Sequence, residues 1–115
     1  MNYNNDFWAA IDKLAASGKI VIDRPKGSRH PRYNDIVYEL DYGYVAGTSS
    51  MDGAGIDLWR GSLSEASVNA IVVTVDLVKN DSEIKLLIGC TDAEMETVLK
   101  FHNRTEFMKG IIIKR

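Results

Sequence analysis

AIVVTVDLVKNDSEIKLLI, residues 70–88, decides how this chain folds. Ala70 to Val78 is rich in valine and isoleucine and reads as the best strand in the chain. Asn80, Asp81 and Ser82 form a turn signal, and Ile84 to Ile88 continues as a strand. The stretch therefore predicts a hairpin. Side chains alternate along a strand, so Glu83 and Lys85 share one face of its second arm.

Downstream of the hairpin, Thr91 and Glu94 have capping-box spacing. Met95, Val98 and Leu99 give the helix that follows an apolar face. Gly110 to Lys114 reads as a final short strand. Upstream, Asn5 is placed to cap a first helix, with Asp6 at its positive start and Phe7, Ile11 and Leu14 at helical spacing. Gly18 is placed to end that helix in a left-handed conformation. A β-branched run predicts a strand over Lys19 to Asp23. Arg24 to Asn34, with Pro25, Gly27 and Pro31, reads as a loop. Ile36 to Tyr44 looks extended, Ala46 to Gly55 is small and glycine-rich, and Ile56 to Trp59 is a short strand. Strands seldom alternate with helices here, which argues against a doubly wound parallel sheet. The expectation is one domain over residues 1–115, mainly β with flanking helices (α+β), built as a small, mostly antiparallel barrel.

The composition narrows the function classes. The chain has 115 residues, 45% hydrophobic and 26% charged, and a net charge of −2. That balance gives no general attraction to nucleic acid or to an anionic membrane. No apolar run approaches the roughly 18 residues that span a bilayer. Met1 to Asp6 lacks a basic start followed by an apolar run, so the expected compartment is cytoplasmic. The one cysteine, Cys90, excludes an internal disulfide and any multi-cysteine metal site, and its place after an apolar strand predicts a buried structural thiol. His30 and His102 lack zinc-ligand spacing.

Four features carry possible chemistry, and each has a plainer alternative. Asp52 and Asp57 flank Gly53 and Gly55, which fits either two carboxylates bent toward one hard cation or a turn that favours aspartate. Glu83 and Lys85 fit either a metal-and-anion site or a solvated ion pair. Arg24, Lys26, Arg29 and Arg32, with His30, fit either phosphate recognition or a solvated loop. Tyr38, Tyr42 and Tyr44 fit either packing on one face or a hydroxyl that positions water. Trp59 reads as core.

In this order the features resemble the soluble, Mg²⁺-dependent inorganic pyrophosphatases. The resemblance is carried by Tyr38-Glu39-Leu40-Asp41-Tyr42-Gly43-Tyr44 followed by Asp52-Gly53-Ala54-Gly55-Ile56-Asp57. It extends upstream to Ile22-Asp23-Arg24-Pro25 and Pro31-Arg32-Tyr33, and downstream to Asp81, Glu83 and Lys85. It implies an OB-like antiparallel β-barrel. It implies metal ligation by Asp52, Asp57, Asp81 and Glu83, and phosphate contacts from Arg32, Lys85 and Arg104. Tyr42 matches a tyrosine near the attacking water, and Asp23 an upstream glutamate. Asn103 falls where the family has a late tyrosine. The middle aspartate of the family signature is Ala54 here, and an alanine neither binds metal nor accepts a proton.

The resemblance implies hydrolysis of pyrophosphate, or another small phosphoanhydride, with Mg²⁺ as cofactor and Asp52, Asp57 and Tyr42 as catalytic residues. The alternative is an inactive or weak relative that binds metal and a phosphate-containing ligand. No nucleic acid or membrane partner is expected. Exposed strand edges leave a homo-oligomer open.

Overall fold

A computed structural model describes residues 2–115. Helix α1 (Tyr3–Ala16) is followed by strands β1 (Ile20–Arg24), β2 (Asp41–Val45), β3 (Ile56–Arg60), β4 (Val68–Asp76) and β5 (Asp81–Ile88). Helix α2 (Asp92–Phe101) and strand β6 (Met108–Lys114) complete the described chain. These strands form one sheet in the order β1-β2-β3-β5-β4-β6. The hairpin expected over residues 70–88 is β4 and β5, paired from Val68↔Ile88 to Asp76↔Asp81, with left-handed Asn80 (φ 56°) in its turn.

The expected OB-like antiparallel barrel is not seen. Among the described residues β1 and β6 are the two edges and do not pair, so the sheet stays open. It is also mixed. The chain crosses from β3 to β4, and β5 returns into the gap between them, parallel to β3 through Leu58↔Leu86, Trp59↔Leu87 and Arg60↔Ile88. Arg60 staples this crossover. Its guanidinium donates to the carbonyls of Gly61, Ile88 and Leu63 at 2.9, 3.1 and 2.8 Å.

Alternation along the central strands builds two cores. Leu58, Ile71, Leu86 and Ile88 point to one face and pack with Trp8 and Ile11 of α1. Trp59, Ala70, Val72 and Leu87 point to the other and pack with Met95 and Val98 of α2. Helix α2 starts as expected, with both hydrogen bonds of the Thr91–Glu94 capping box formed. Helix α1 starts earlier than expected, because Asn2 and not Asn5 is the cap: its Oδ1 accepts the Asn5 N–H at 3.1 Å. Phe7, expected on the apolar face, is exposed, and Trp8 is buried in its place. Gly18 does not adopt the left-handed conformation; Ser17 caps the helix, and Gly18 is needed because a Cβ there would meet the Ala46 carbonyl oxygen at 1.8 Å.

The edge at β6 is shielded by a side chain. Asn103 Nδ2 donates to the Gly110 carbonyl at 2.9 Å, and its Oδ1 accepts the Gly110 N–H at 3.3 Å. The amide thus makes the two hydrogen bonds a neighbouring strand would make at that residue. Among the described residues no helix is long and apolar enough to cross a membrane.

Candidate functional site

The face that carries the α2 core continues toward the β4–β5 turn as a polar surface. Glu83 and Lys85 precede Leu87 by the two-residue period of β5. On β3, Asp57 precedes Trp59 by the same period, and on β2 Tyr42 lies opposite Trp59. The pairing of three strands thereby gathers Tyr42, Asp57, Glu83 and Lys85.

Lys85 Nζ is 2.9 Å from Asp57 Oδ2, 3.0 Å from Glu83 Oε2 and 3.1 Å from the Tyr42 hydroxyl. Tyr42 in turn donates to Asp57 Oδ2 at 2.7 Å. An ammonium has three N–H donors, and these contacts use all of them. Lys85 and Tyr42 are buried. Burial pushes the lysine toward neutrality, but the facing Tyr42 and Asp57 outweigh it and hold the ammonium well above the usual lysine range. Burial, with Asp57 beside it, raises the Tyr42 phenol, so its proton stays in place at neutral pH. The pair on β5 is therefore no solvated surface bridge.

Asp52 sits in the loop before β3 and does turn work. Its Oδ1 accepts from the Ser50 hydroxyl at 2.8 Å and the Ala54 N–H at 2.9 Å, around left-handed Gly53 (φ 82°). Those two bonds hold its carboxyl below the usual carboxylate range, and Glu83 lies against it. Asp52 therefore borders the cluster and also closes the loop. Ala54 is exposed in that loop.

The remaining sequence-assigned residues disperse around this centre. Asp81 shares the face of Glu83 but lies at the strand end, opposite Asp76. Asp23 is exposed at the β1 bulge. Arg32 is exposed, and its backbone N–H donates to His30 Nδ1 at 3.0 Å. Arg104 lies over the Phe101 ring, with Cζ 4.5 Å from the centroid. Asn103 is spent on Leu99 and Gly110. Burial pushes the Cys90 thiol up to about 12, in keeping with a structural residue. His102 is also buried; its Nε2 accepts from Trp59 Nε1 at 3.0 Å, and burial lowers its pKa to about 3.

Basic residues gather beside the site, and among them Lys79 is the one the sequence did not mark. Burial lowers the pKa of His30, and so do the surrounding charges of Arg24, Arg104, Arg32 and Lys79. His30 also lies 6.3 Å from the Tyr38 ring in a stacked arrangement. Arg24, His30 and Lys79 thus join Arg32 and Arg104 in one basic region beside the carboxylates. The density of positive charge between Arg24 and Arg32 was the signal that marked Arg24 and His30 in the sequence. Lys79 had none, because only the hairpin carries it to the same end of the sheet.

The donor chemistry fits Mg²⁺, which takes hard oxygen ligands. Asp57 and Glu83 each commit one carboxylate oxygen to Lys85, and a carboxylate has a second. Among the described residues no three His, Cys, Asp or Glu side chains gather as a metal-holding group. Two carboxylates suffice when substrate phosphate and water complete the shell, which is the common mode for this ion. Among known proteins, no family model matches the chain and none of the curated proteins does.

Proposed function

We propose that this chain hydrolyses a small phosphoanhydride, pyrophosphate first among them, with Mg²⁺. The observation that carries the proposal is Lys85 held between Asp57 and Glu83 with Tyr42 on the same carboxylate. A carboxylate pair beside a basic region matches the two needs of a metal-borne phosphate: oxygen ligands for the cation and positive charge for the anion. The sequence resemblance to Mg²⁺-dependent pyrophosphatases supports the same reading. Mg²⁺, when bound, supplies Lewis acidity toward the phosphoryl oxygens. Asp57 and Glu83 would hold it, with Asp52 at the border. Tyr42 fixes Asp57 through its proton. Lys85, Arg32 and Arg104 neutralise phosphate charge. Lys85 gives up one of its three contacts to do so.

One observation favours a second reading, a module that binds metal and phosphate without turnover. Ala54 is an exposed methyl in the loop that the Asp52 side chain closes, so no carboxylate is present there to take the proton of an attacking water. General-base help is worth roughly 10²–10⁴-fold. Phosphate release from pyrophosphate, measured with and without Mg²⁺, tests both. Mg²⁺-dependent release by the wild-type protein, increased at least about ten-fold in Ala54→Asp, is the expected result. Tight pyrophosphate binding with no release from either protein supports the binding module instead.

A further inference from the structure

Lys85 meets an anion only by giving up one of its three contacts, so most of the anion-binding power of this region must come from elsewhere. Arg24 lies beyond the β1 bulge, opposite Tyr42. Its Cζ sits 5.4 Å from the Tyr38 ring centroid and 5.9 Å from that of Tyr42, and its Nη1 donates to the Tyr38 hydroxyl. Tyr38 is buried and packs on Phe101 with centroids 5.2 Å apart. Arg104 lies over that same Phe101 ring at 4.5 Å.

Two guanidinium groups from distant parts of the sequence are therefore mounted on one pair of packed rings. Cation–ring contact orients a guanidinium without consuming its N–H donors. Arg24 spends one of five such donors on Tyr38. Among the described residues neither arginine forms a salt bridge. A half-buried arginine lacking a counter-ion, with a second mounted on the neighbouring ring, is suited to a multiply charged anion with paired oxygens. The positive surroundings of His30, which include both arginines, mark the same place.

We propose that Arg24 and Arg104, held by the Tyr38–Phe101 ring pair, are the principal phosphoryl-binding residues of this protein. The ligand class is the unesterified phosphoryl end of a phosphoanhydride, or inorganic phosphate. The proposal rests on the phosphoanhydride reading of the site and adds Arg24 to it.

Inorganic phosphate titrated into the full chain, followed by backbone amide chemical shifts, tests this directly. Arg24→Gln and Arg104→Gln should each weaken phosphate binding at least about ten-fold, the scale of a lost charge-assisted contact. Arg24→Lys, which keeps the charge and loses the fork, should fall between. Arg29→Gln, on the same loop but bonded to the Asn34 carbonyl, should bind within about two-fold of wild type. Thermal midpoints without phosphate check folding, and Arg24→Lys replaces Arg24→Gln if the latter fails to fold. Unchanged affinity in the Arg24 variant, or no phosphate binding by wild type, overturns the proposal. The hydrolase reading fails separately: Arg24-dependent binding without pyrophosphate turnover removes that reading and leaves this one. Turnover with an unchanged KM in Arg24→Gln does the reverse.

Discussion

Lys85 and Asp57 form an ion pair at 2.9 Å between adjacent parallel strands, and Glu83 binds the same ammonium at 3.0 Å. The lysine is the internal cation of the site. Its three partners come from β2, β3 and its own strand, so it also ties the parallel seam of the sheet together.

Removing that cation leaves two carboxylates facing each other. Lys85→Met should lose about 3 kcal/mol of stability at pH 7, measured by urea unfolding, because a partner is left charged and poorly solvated. The ammonium also sets a pH dependence. The folded pKa of Lys85 lies above the ordinary lysine value, so its contribution is complete below that ordinary value and is lost as pH rises through the folded one. The wild-type protein should therefore weaken at strongly alkaline pH, and Lys85→Met should not share that part of the loss.

His102 sets an opposite dependence in acid. Its folded pKa of about 3 lies below the ordinary histidine value of 6.5, so the unfolded chain takes up a proton that the fold refuses. Stability from this residue is complete above about pH 6.5 and is lost as pH falls toward 3. Between pH 7 and 5 the expected loss is about 2 kcal/mol. His102→Gln keeps an acceptor for Trp59 Nε1 and should flatten that part of the curve. An unchanged slope between pH 5 and 7 would show that the imidazole gains its proton inside the fold.

Asn103 gives a test of the sheet edge. Asn103→Ala leaves the outward N–H and C=O of Gly110 without the amide that now satisfies them. The cost should be about 1–3 kcal/mol in chemical unfolding. The bared edge should also make the variant's apparent size rise with concentration on a sizing column, whereas wild type stays constant.

Local signals in the sequence were sufficient for local structure. The β-branched run, turn residues and second apolar run of residues 70–88 give the hairpin, and the Thr91–Glu94 spacing gives the α2 cap. Period-two alternation put Glu83 and Lys85 together. The open, mixed sheet was not legible, because antiparallel neighbours are joined by a visible turn while the β3–β5 pairing depends on a long return stapled by Arg60. Tyr38 read as part of a strand. It instead lies in a loop that folds back on itself, where its N–H donates to the Ser28 carbonyl at 2.9 Å and its ring enters the core. Asp52 read as a turn residue on its local pattern and as a ligand only through the resemblance, and its contacts show that it does the turn work while bordering the cluster. Arg24, before a proline, read as one charge of a basic loop suited to phosphate; the rings that orient it, Tyr38 from the loop and Tyr42 across the β1–β2 pairing, were not legible.

If the carboxylate–lysine cluster serves Mg²⁺-dependent hydrolysis of a phosphoanhydride, as proposed, turnover must depend on its charges. The most direct measurement is the initial rate of phosphate release from pyrophosphate at saturating Mg²⁺, for wild type and Asp57→Asn in parallel. Asn at this position keeps the shape and removes the charge that faces Lys85 and Tyr42. Release by wild type should vanish with chelator and fall at least about a hundred-fold in Asp57→Asn. No release by wild type, or equal release by both proteins, contradicts the proposal.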